Sequence, residues 1–319
     1  MNIIEQATKR LKDLNNAGVA EPRTLPSLAQ SELQSQAESN RRAPSIESTP
    51  TAAIHSFEND LTPRGDKVLR QVRSVSGAQP AAAVTLDLKQ LERSGILVPA
   101  QAKSALSEEF RQIKRPLLIN ARSPEAAANR LSLIAVTSAL PGEGKTHCAI
   151  NLAMSMAAEI DMSVLLVDAD VIRPAVLQRL GIEAERGLLD LLTDPNLSLA
   201  EVVLTTNIPK LSILPSGRRN NLSTELFASE TMKDLLISLA NSHQNHVVIF
   251  DAPPLLVTSE AKVLASRVGQ VVMVVEASKT QRSTAAQAFA SVEHCPIVMS
   301  ILNKAHERTG SHAYGYYYR

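Results

Sequence analysis

The segment Ala139-Leu140-Pro141-Gly142-Glu143-Gly144-Lys145-Thr146 carries the residue types needed to cradle a polyphosphate, with Ala where the usual P-loop pattern has its first Gly. Gly142 and Gly144 let the backbone approach phosphate oxygens. The amides of the loop, with Pro141 and Glu143 completing it, and the start of the following helix supply positive potential. Lys145 is placed to reach the β- and γ-phosphates, and the Thr146 hydroxyl suits magnesium. His147 is counted with the loop because it follows directly, with packing inside the helix as the alternative.

Carboxylates recur where such a loop would need them. Asp168-Ala169-Asp170 ends one branched apolar run, and Val247-Val248-Ile249-Phe250-Asp251 ends another. In open α/β folds ligands bind at the carboxyl ends of strands, so these three acids belong with the phosphate loop, Asp251 in the position that holds hydrated magnesium. Each alone is equally readable as a helix cap or a solvated loop residue. Arg173 suits either a phosphate or a neighbouring carboxylate.

The order and spacing of Pro141 to Thr146, of Asp168-Ala169-Asp170 closed by Arg173-Pro174, and of Asp251-Ala252-Pro253-Pro254 resemble the Walker A, A′ and B motifs of the bacterial tyrosine kinases. The likeness covers about residues 104 to 319. The Asp170-Val171-Ile172-Arg173-Pro174 variant and the run Glu109 to Pro116 are similar to the autokinases associated with exosortase-type (XrtA) exopolysaccharide systems. The resemblance implies transfer of the γ-phosphate of ATP, with Mg2+, to tyrosines of a C-terminal cluster on another copy. It assigns the proton acceptor to Asp168 and the arrangement of magnesium to Asp170 and Asp251, beside Lys145 and Thr146. Many members carry the basic residue one position earlier, where this chain has Ile172. Asn303, after a strand, sits where related P-loop ATPases contact the base, a turn cap being the other reading.

The chain itself contains such a cluster. Its four tyrosines, Tyr314, Tyr316, Tyr317 and Tyr318, all fall within the last six residues, after Gly310, Ser311 and His312. This reads as an exposed acceptor tail over 307–319; a tail that sticks to an apolar groove is the alternative. Glu108, Arg111 and Lys114 stand at successive i, i+3 positions and can share one helix face. The spacing resembles the family's oligomerisation motif with Lys in place of the last Arg, and a plain solvated face would look the same.

These side chains require a scaffold. Branched apolar runs at Leu131–Thr137, Val164–Val167, Leu211–Leu214, Val247–Phe250, Val271–Val275 and Ile297–Leu302 read as buried strands. Helical patterns lie between them at Thr146–Ala157, Thr224–Leu239, Ser259–Ala265 and Thr280–Ser291. Such alternation predicts an α/β fold, a mainly parallel sheet with helices on both faces, of the P-loop NTPase, MinD-like kind. The kinase domain is expected over 104–306. Before it, residues 1–18 read as an amphipathic helix and 19–103 as a largely disordered linker, with a short helix near 86–94 that stops at Gly95.

Composition limits the rest. Across 319 residues, 33 Lys and Arg face 32 Asp and Glu, so no basic field exists for nucleic acid. Two cysteines exclude a disulfide framework or a thiolate zinc site within the chain, which suits a reducing cytosol. No apolar stretch approaches the length of a membrane span. The expected setting is cytoplasmic and peripheral to the inner membrane. The partners implied are a membrane polysaccharide co-polymerase or chain-length determinant as activator, other copies of the chain, and a tyrosine phosphatase. The rival reading is a MinD- or ParA-like ATPase switch; such switches carry a Lys early in the P-loop, where this chain has Leu140.

Overall fold

The computed structural model describes residues 82–99, 104–242 and 245–305. The expected helix over 1–18, the linker up to residue 81 and the tyrosine tail lie outside the described residues. In chain order the elements begin with β1 (Ala82–Val84), α1 (Leu88–Arg93), α2 (Ala105–Ala121), β2 (Leu133–Ser138), α3 (Lys145–Ala157) and β3 (Ser163–Asp168). Three short helices follow, α4 (Val176–Leu180), α5 (Leu188–Thr193) and α6 (Leu199–Val202), then β4 (Leu204–Thr206) and β5 (Leu211–Leu214). The chain continues through α7 (Ser223–Ala228), α8 (Glu230–Ala240), β6 (His246–Asp251), α9 (Ser259–Ala265), β7 (Gln270–Glu276), α10 (Arg282–Ala290) and β8 (Ile297–Asn303).

The strands form one eight-stranded sheet in the order β1-β4-β5-β3-β6-β2-β7-β8, parallel except between β4 and β5. Because side chains alternate across a strand, each central strand feeds two cores. Ile134, Val136, Val164, Leu166, Val247 and Ile249 face one side and pack with Leu91 of α1, Phe110 and Leu117 of α2 and Leu152 of α3. Leu133, Ala135, Leu165, Val167, Val248 and Phe250 face the other, against Phe227, Met232, Leu236 and Leu264. A sheet covered on both faces explains why these strands read as unbroken apolar runs.

Three expectations are corrected. The segment 82–98 is part of the fold rather than linker: β1 pairs with β4, and Leu86, Leu91, Ile96, Leu97 and Val98 are buried. It is fastened by polar bonds, Asn207 exchanging two with the Leu86 backbone and Asn151 Oδ1 accepting from the Leu97 amide at 2.7 Å. The helix expected over Thr224–Leu239 is two helices. Ser229 is extended (ψ 160°), and its hydroxyl caps α8 by accepting from the Met232 amide. The Arg267 guanidinium collects the carbonyls of Phe227, Ala228 and Ser229 at that break.

The face expected for Glu108, Arg111 and Lys114 also divides. Glu108 and Arg111 form an ion pair, whereas Lys114 is buried. Its ammonium donates to the Ser155 carbonyl at 2.6 Å and pairs with Glu159 at 2.7 Å. Two i, i+3 steps accumulate about 120° of rotation around a helix, enough to turn the third residue inward.

Candidate active site

The phosphate loop leaves β2 at Ser138 and enters α3 at Lys145. Gly142 (φ 89°) and Gly144 (φ 100°) adopt the left-handed backbone that a side chain disfavours. A Cβ on Gly144 would lie 2.1 Å from Asn303 Nδ2, so the Asn303 side chain would have to move to admit one. Glu143 points inward: its Oε2 accepts from the Leu140 amide at 2.7 Å, and its Oε1 accepts from the Thr280 hydroxyl. Asn303, at the end of β8, donates to the Glu143 carbonyl at 2.8 Å, and Lys304 donates to the Gly142 carbonyl at 2.7 Å. Lys304 also pairs with Glu276. Thr280, Glu276 and Lys304 were not singled out from the sequence; the position of Asn303 at a strand end was the one available signal.

The three acids converge as their positions at strand ends require. The β3–β6 register sets Asp168 directly opposite Asp251, and the β2–β6 register sets Val136 opposite Asp251. The loops after β2 and β6 are tied by the Thr137 hydroxyl to the Pro253 carbonyl and the Leu255 amide to the Ser138 carbonyl. Lys145 Nζ lies 2.6 Å from Asp170 Oδ2 and 3.6 Å from Asp251 Oδ1. Asp170 Oδ1 accepts from the Arg173 amide, while the Arg173 side chain is exposed. Asp168 Oδ2 accepts from the amides of Ala175 and Val176 at 3.1 and 3.0 Å.

Three carboxylates thus share one ammonium. Asp168 Oδ1 and both oxygens of Asp251 are buried with no hydrogen-bond donor. Burial, then the neighbouring Asp251 charge, pushes the Asp168 carboxyl up to about 7. Burial raises Asp251 to about 6, opposed chiefly by Lys145. Lys145 is held above its ordinary value: burial works against its charge, and Asp251 and Asp170 outweigh that.

This donor set fits magnesium. Orphaned carboxylate oxygens and the buried Thr146 hydroxyl are hard oxygen ligands with charge to spare. Among the described residues no His, Cys, Asp or Glu cluster forms a closed metal cage. Magnesium does not need one, since it is usually held by one or two carboxylates, water and substrate phosphates.

His147 is not turned toward the cradle. Its ring meets Asn151 Nδ2 at 3.0 Å and packs near Gly95. Burial, then Arg179, lowers its pKa. Only its backbone amide remains at the helix start. Asn303 lies at the loop with its amide group committed to the Glu143 carbonyl.

Comparison with known proteins agrees with this layout. The AAA domain family (AAA_31) matches residues 131–294. The tyrosine-protein kinase YwqD of Bacillus subtilis is 30% identical over 225 residues, 70% of this chain and 90% of the relative. The chain belongs to the bacterial tyrosine-kinase family. The tyrosine-protein kinase CpsD of Streptococcus agalactiae is 29% identical over 58% of this chain and 81% of its own length. The putative tyrosine-protein kinase EpsB of Ralstonia solanacearum is 28% identical, and this chain spans only 24% of it. Among solved structures, the kinase domain of the Escherichia coli tyrosine kinase ETK superposes with a TM-score of 0.56 at 21% identity, over 77% of this chain and 98% of that one. The VpsO kinase domain does so with 0.50 at 29% identity, over 64% and 100%.

Proposed function

We propose that the chain is an ATP- and Mg2+-dependent protein-tyrosine autokinase that phosphorylates Tyr314, Tyr316, Tyr317 and Tyr318 of another copy. The observation that carries this reading is the buried Asp168–Asp251 pair beside Lys145, with one oxygen of Asp168 buried and without a hydrogen-bond donor. A phenol holds its proton to a pKa of about 10, so a neutral-pH nucleophile needs an acceptor at hand. Asp168 Oδ1 takes that proton as the phenolic oxygen bonds to the γ-phosphorus. The bond to the bridging oxygen breaks, and ADP carries the electron pair away.

The loop amides and Lys145 hold the phosphates and balance the charge that gathers on them. Thr146, Asp170 and Asp251 are the residues that would hold magnesium, which neutralises phosphate charge when bound. Glu143, pinned by Thr280 of the segment after β7 and by Asn303 at the end of β8, keeps the loop in shape. Asn303 is proposed to border the base from the same position. Glu108, exposed on α2, and the half-buried Arg111 paired with it are the proposed contacts between copies, with Lys114 fixing α2 on α3.

The family resemblance supports a role in regulating exopolysaccharide polymerisation or export, in the exosortase-associated setting. No described helix is long and apolar enough to cross a membrane. Recruitment by a membrane co-polymerase, with a phosphatase resetting the tail, completes the proposal. Its test is incubation with Mg2+ and ATP, with Lys145→Met as control, followed by peptide mass spectrometry of residues 306–319. Phosphate on the tail of the unaltered chain alone is expected. ATP hydrolysis with no tail phosphate would instead favour a nucleotide switch of the ParA and MinD kind.

A further inference from the structure

Eight large apolar side chains are conspicuously exposed among the described residues, and they are not spread evenly. Ile119, Ile160, Ile237 and Leu302 lie apart on helices, a turn and the edge strand. Leu140 (41% exposed), Ile172 (42%), Leu222 (59%) and Val257 (58%) stand in the segments that follow β2, β3, β5 and β6. Those four strands are consecutive in the sheet, and all four segments are at its carboxyl edge. Scattered apolar residues on a surface need no explanation, but a set confined to the rim of a reaction site does.

The four are tied in pairs on either side of the carboxylates. The Leu256 amide donates to the Ala139 carbonyl at 3.3 Å, which joins the segments of Val257 and Leu140. Arg219 donates to the Ile172 carbonyl at 3.2 Å, which joins the segment leading to Leu222 to that of Ile172. Asp168 and Asp251 lie at the ends of β3 and β6, between the two flanks.

We propose that these side chains form an apolar collar that grips the aromatic neighbours of the acceptor tyrosine, and that its occupant is the segment 314–318 of a second copy. This rests on the kinase reading and names what that site selects: a tyrosine flanked by other aromatic rings rather than a lone one. Every tyrosine of the chain is in that segment, so a ring offered to Asp168 always brings another within one or two positions. Tyrosine suits such a rim because its ring buries against apolar groups while its hydroxyl stays in water.

Sheet order favours a second copy over the chain's own tail. The described chain ends beside the phosphate loop on the β8 flank, Lys304 bonding to Gly142. From there to β3 is four strand spacings, about 19 Å, and the nine residues to Tyr314 span up to about 30 Å, so length alone does not forbid it. The direct path, however, runs over Gly142 to Lys145, where the phosphates are to sit. The β5 flank, with Leu222, leaves an approach that avoids the cradle.

The test is fluorescence anisotropy of a labelled peptide of residues 305–319 added to the full chain, with and without Leu222→Asp and Val257→Asp together. The double variant should bind the peptide at least tenfold more weakly while its ATP affinity stays within twofold. A peptide keeping Tyr317 alone, with Ser at the other three positions, should bind the unaltered chain at least tenfold more weakly. The milder pair Leu222→Thr and Val257→Thr, with an unchanged melting curve, should weaken the peptide in the same direction. Equal binding of the two peptides, or of the full peptide to all three proteins, would overturn the collar. When Lys145→Met chains are co-expressed with unaltered ones, phosphate on the tails of the unaltered chains but never on those of the Lys145→Met chains would overturn the second copy as occupant. Because anisotropy needs no phosphate transfer, a peptide that binds with the stated selectivity yet is never phosphorylated would refute the kinase reading and leave the collar standing.

Discussion

Asp168 and Asp251 are carboxyls that the folded chain holds above their ordinary values, to about 7 and about 6. The folded state therefore keeps protons that the unfolded chain has already lost above a pH of about 4. Its stability is fullest at low pH as far as these two groups go, and declines as pH rises through about 7. In magnesium-free buffer without nucleotide, Asp168→Asn should be the more stable protein at pH 8, by on the order of a few kcal/mol. Its amide oxygen can still accept from Ala175 and Val176. The difference should vanish near pH 4, and urea titrations at the two pH values check it; parallel losses at both would contradict it. A second residue-scale prediction concerns Gly144→Ala. The added Cβ meets Asn303 and sits at φ 100°, a backbone cost of about 1–3 kcal/mol. ATP affinity should fall at least tenfold with the fold retained, as read by calorimetry and circular dichroism.

At the scale of elements, the site was more legible than its supports. The glycine loop and the acids after apolar runs are local signals, because a strand end and a phosphate cradle each need particular residues at fixed offsets. The fastening of the loop from Thr280, Asn303 and Lys304 is nonlocal, set by β7 lying beside β2 and β8 beside β7, and no spacing in the sequence carries it. The same holds for β1 and α1. Three residues of strand carry too little period to stand out among Pro, Ser and Ala, and the helical pattern near 86–94, which α1 bears out, carries no sign of what the helix packs on, yet Leu91 and Ile96 are each 1% exposed. The break at Ser229 is hidden in the sequence because helical period continues on both sides; the Ser229 cap is local, but the Arg267 guanidinium that joins it comes from beyond α9. Leu91→Ala should cost about 2–5 kcal/mol, as for other large-to-small core changes, whereas a linker residue would cost nothing measurable. Thermal melts of the full chain decide between the two.

For the whole molecule, the sheet order has one consequence that no single element provides. Placing β3, β6 and β2 side by side gathers the three motifs at one edge, and placing β8 next to β7 starts the C-terminal tail at that same edge. A tail that leaves beside one site, in a chain whose Glu108–Arg111 pair lies on a separate helix, suits copies arranged so that each presents its end to a neighbour. The proposed reaction then acts on its own assembly. Each phosphate adds roughly −1.5 to −2 charges, so four would give a tail carrying about −6 to −8 where an almost neutral one stood. Such a tail meets Asp168, Asp170 and Asp251 with like charge and offers collar residues no apolar ring edge free of it. Phosphorylation should therefore loosen the assembly. At matched concentration and ionic strength, analytical ultracentrifugation should show a larger species for phosphatase-treated protein than for protein incubated with Mg2+ and ATP. The gap should narrow as salt is raised and screens the repulsion. Equal sizes for the two samples at low salt would show that the tail, phosphorylated or not, does not hold the copies together.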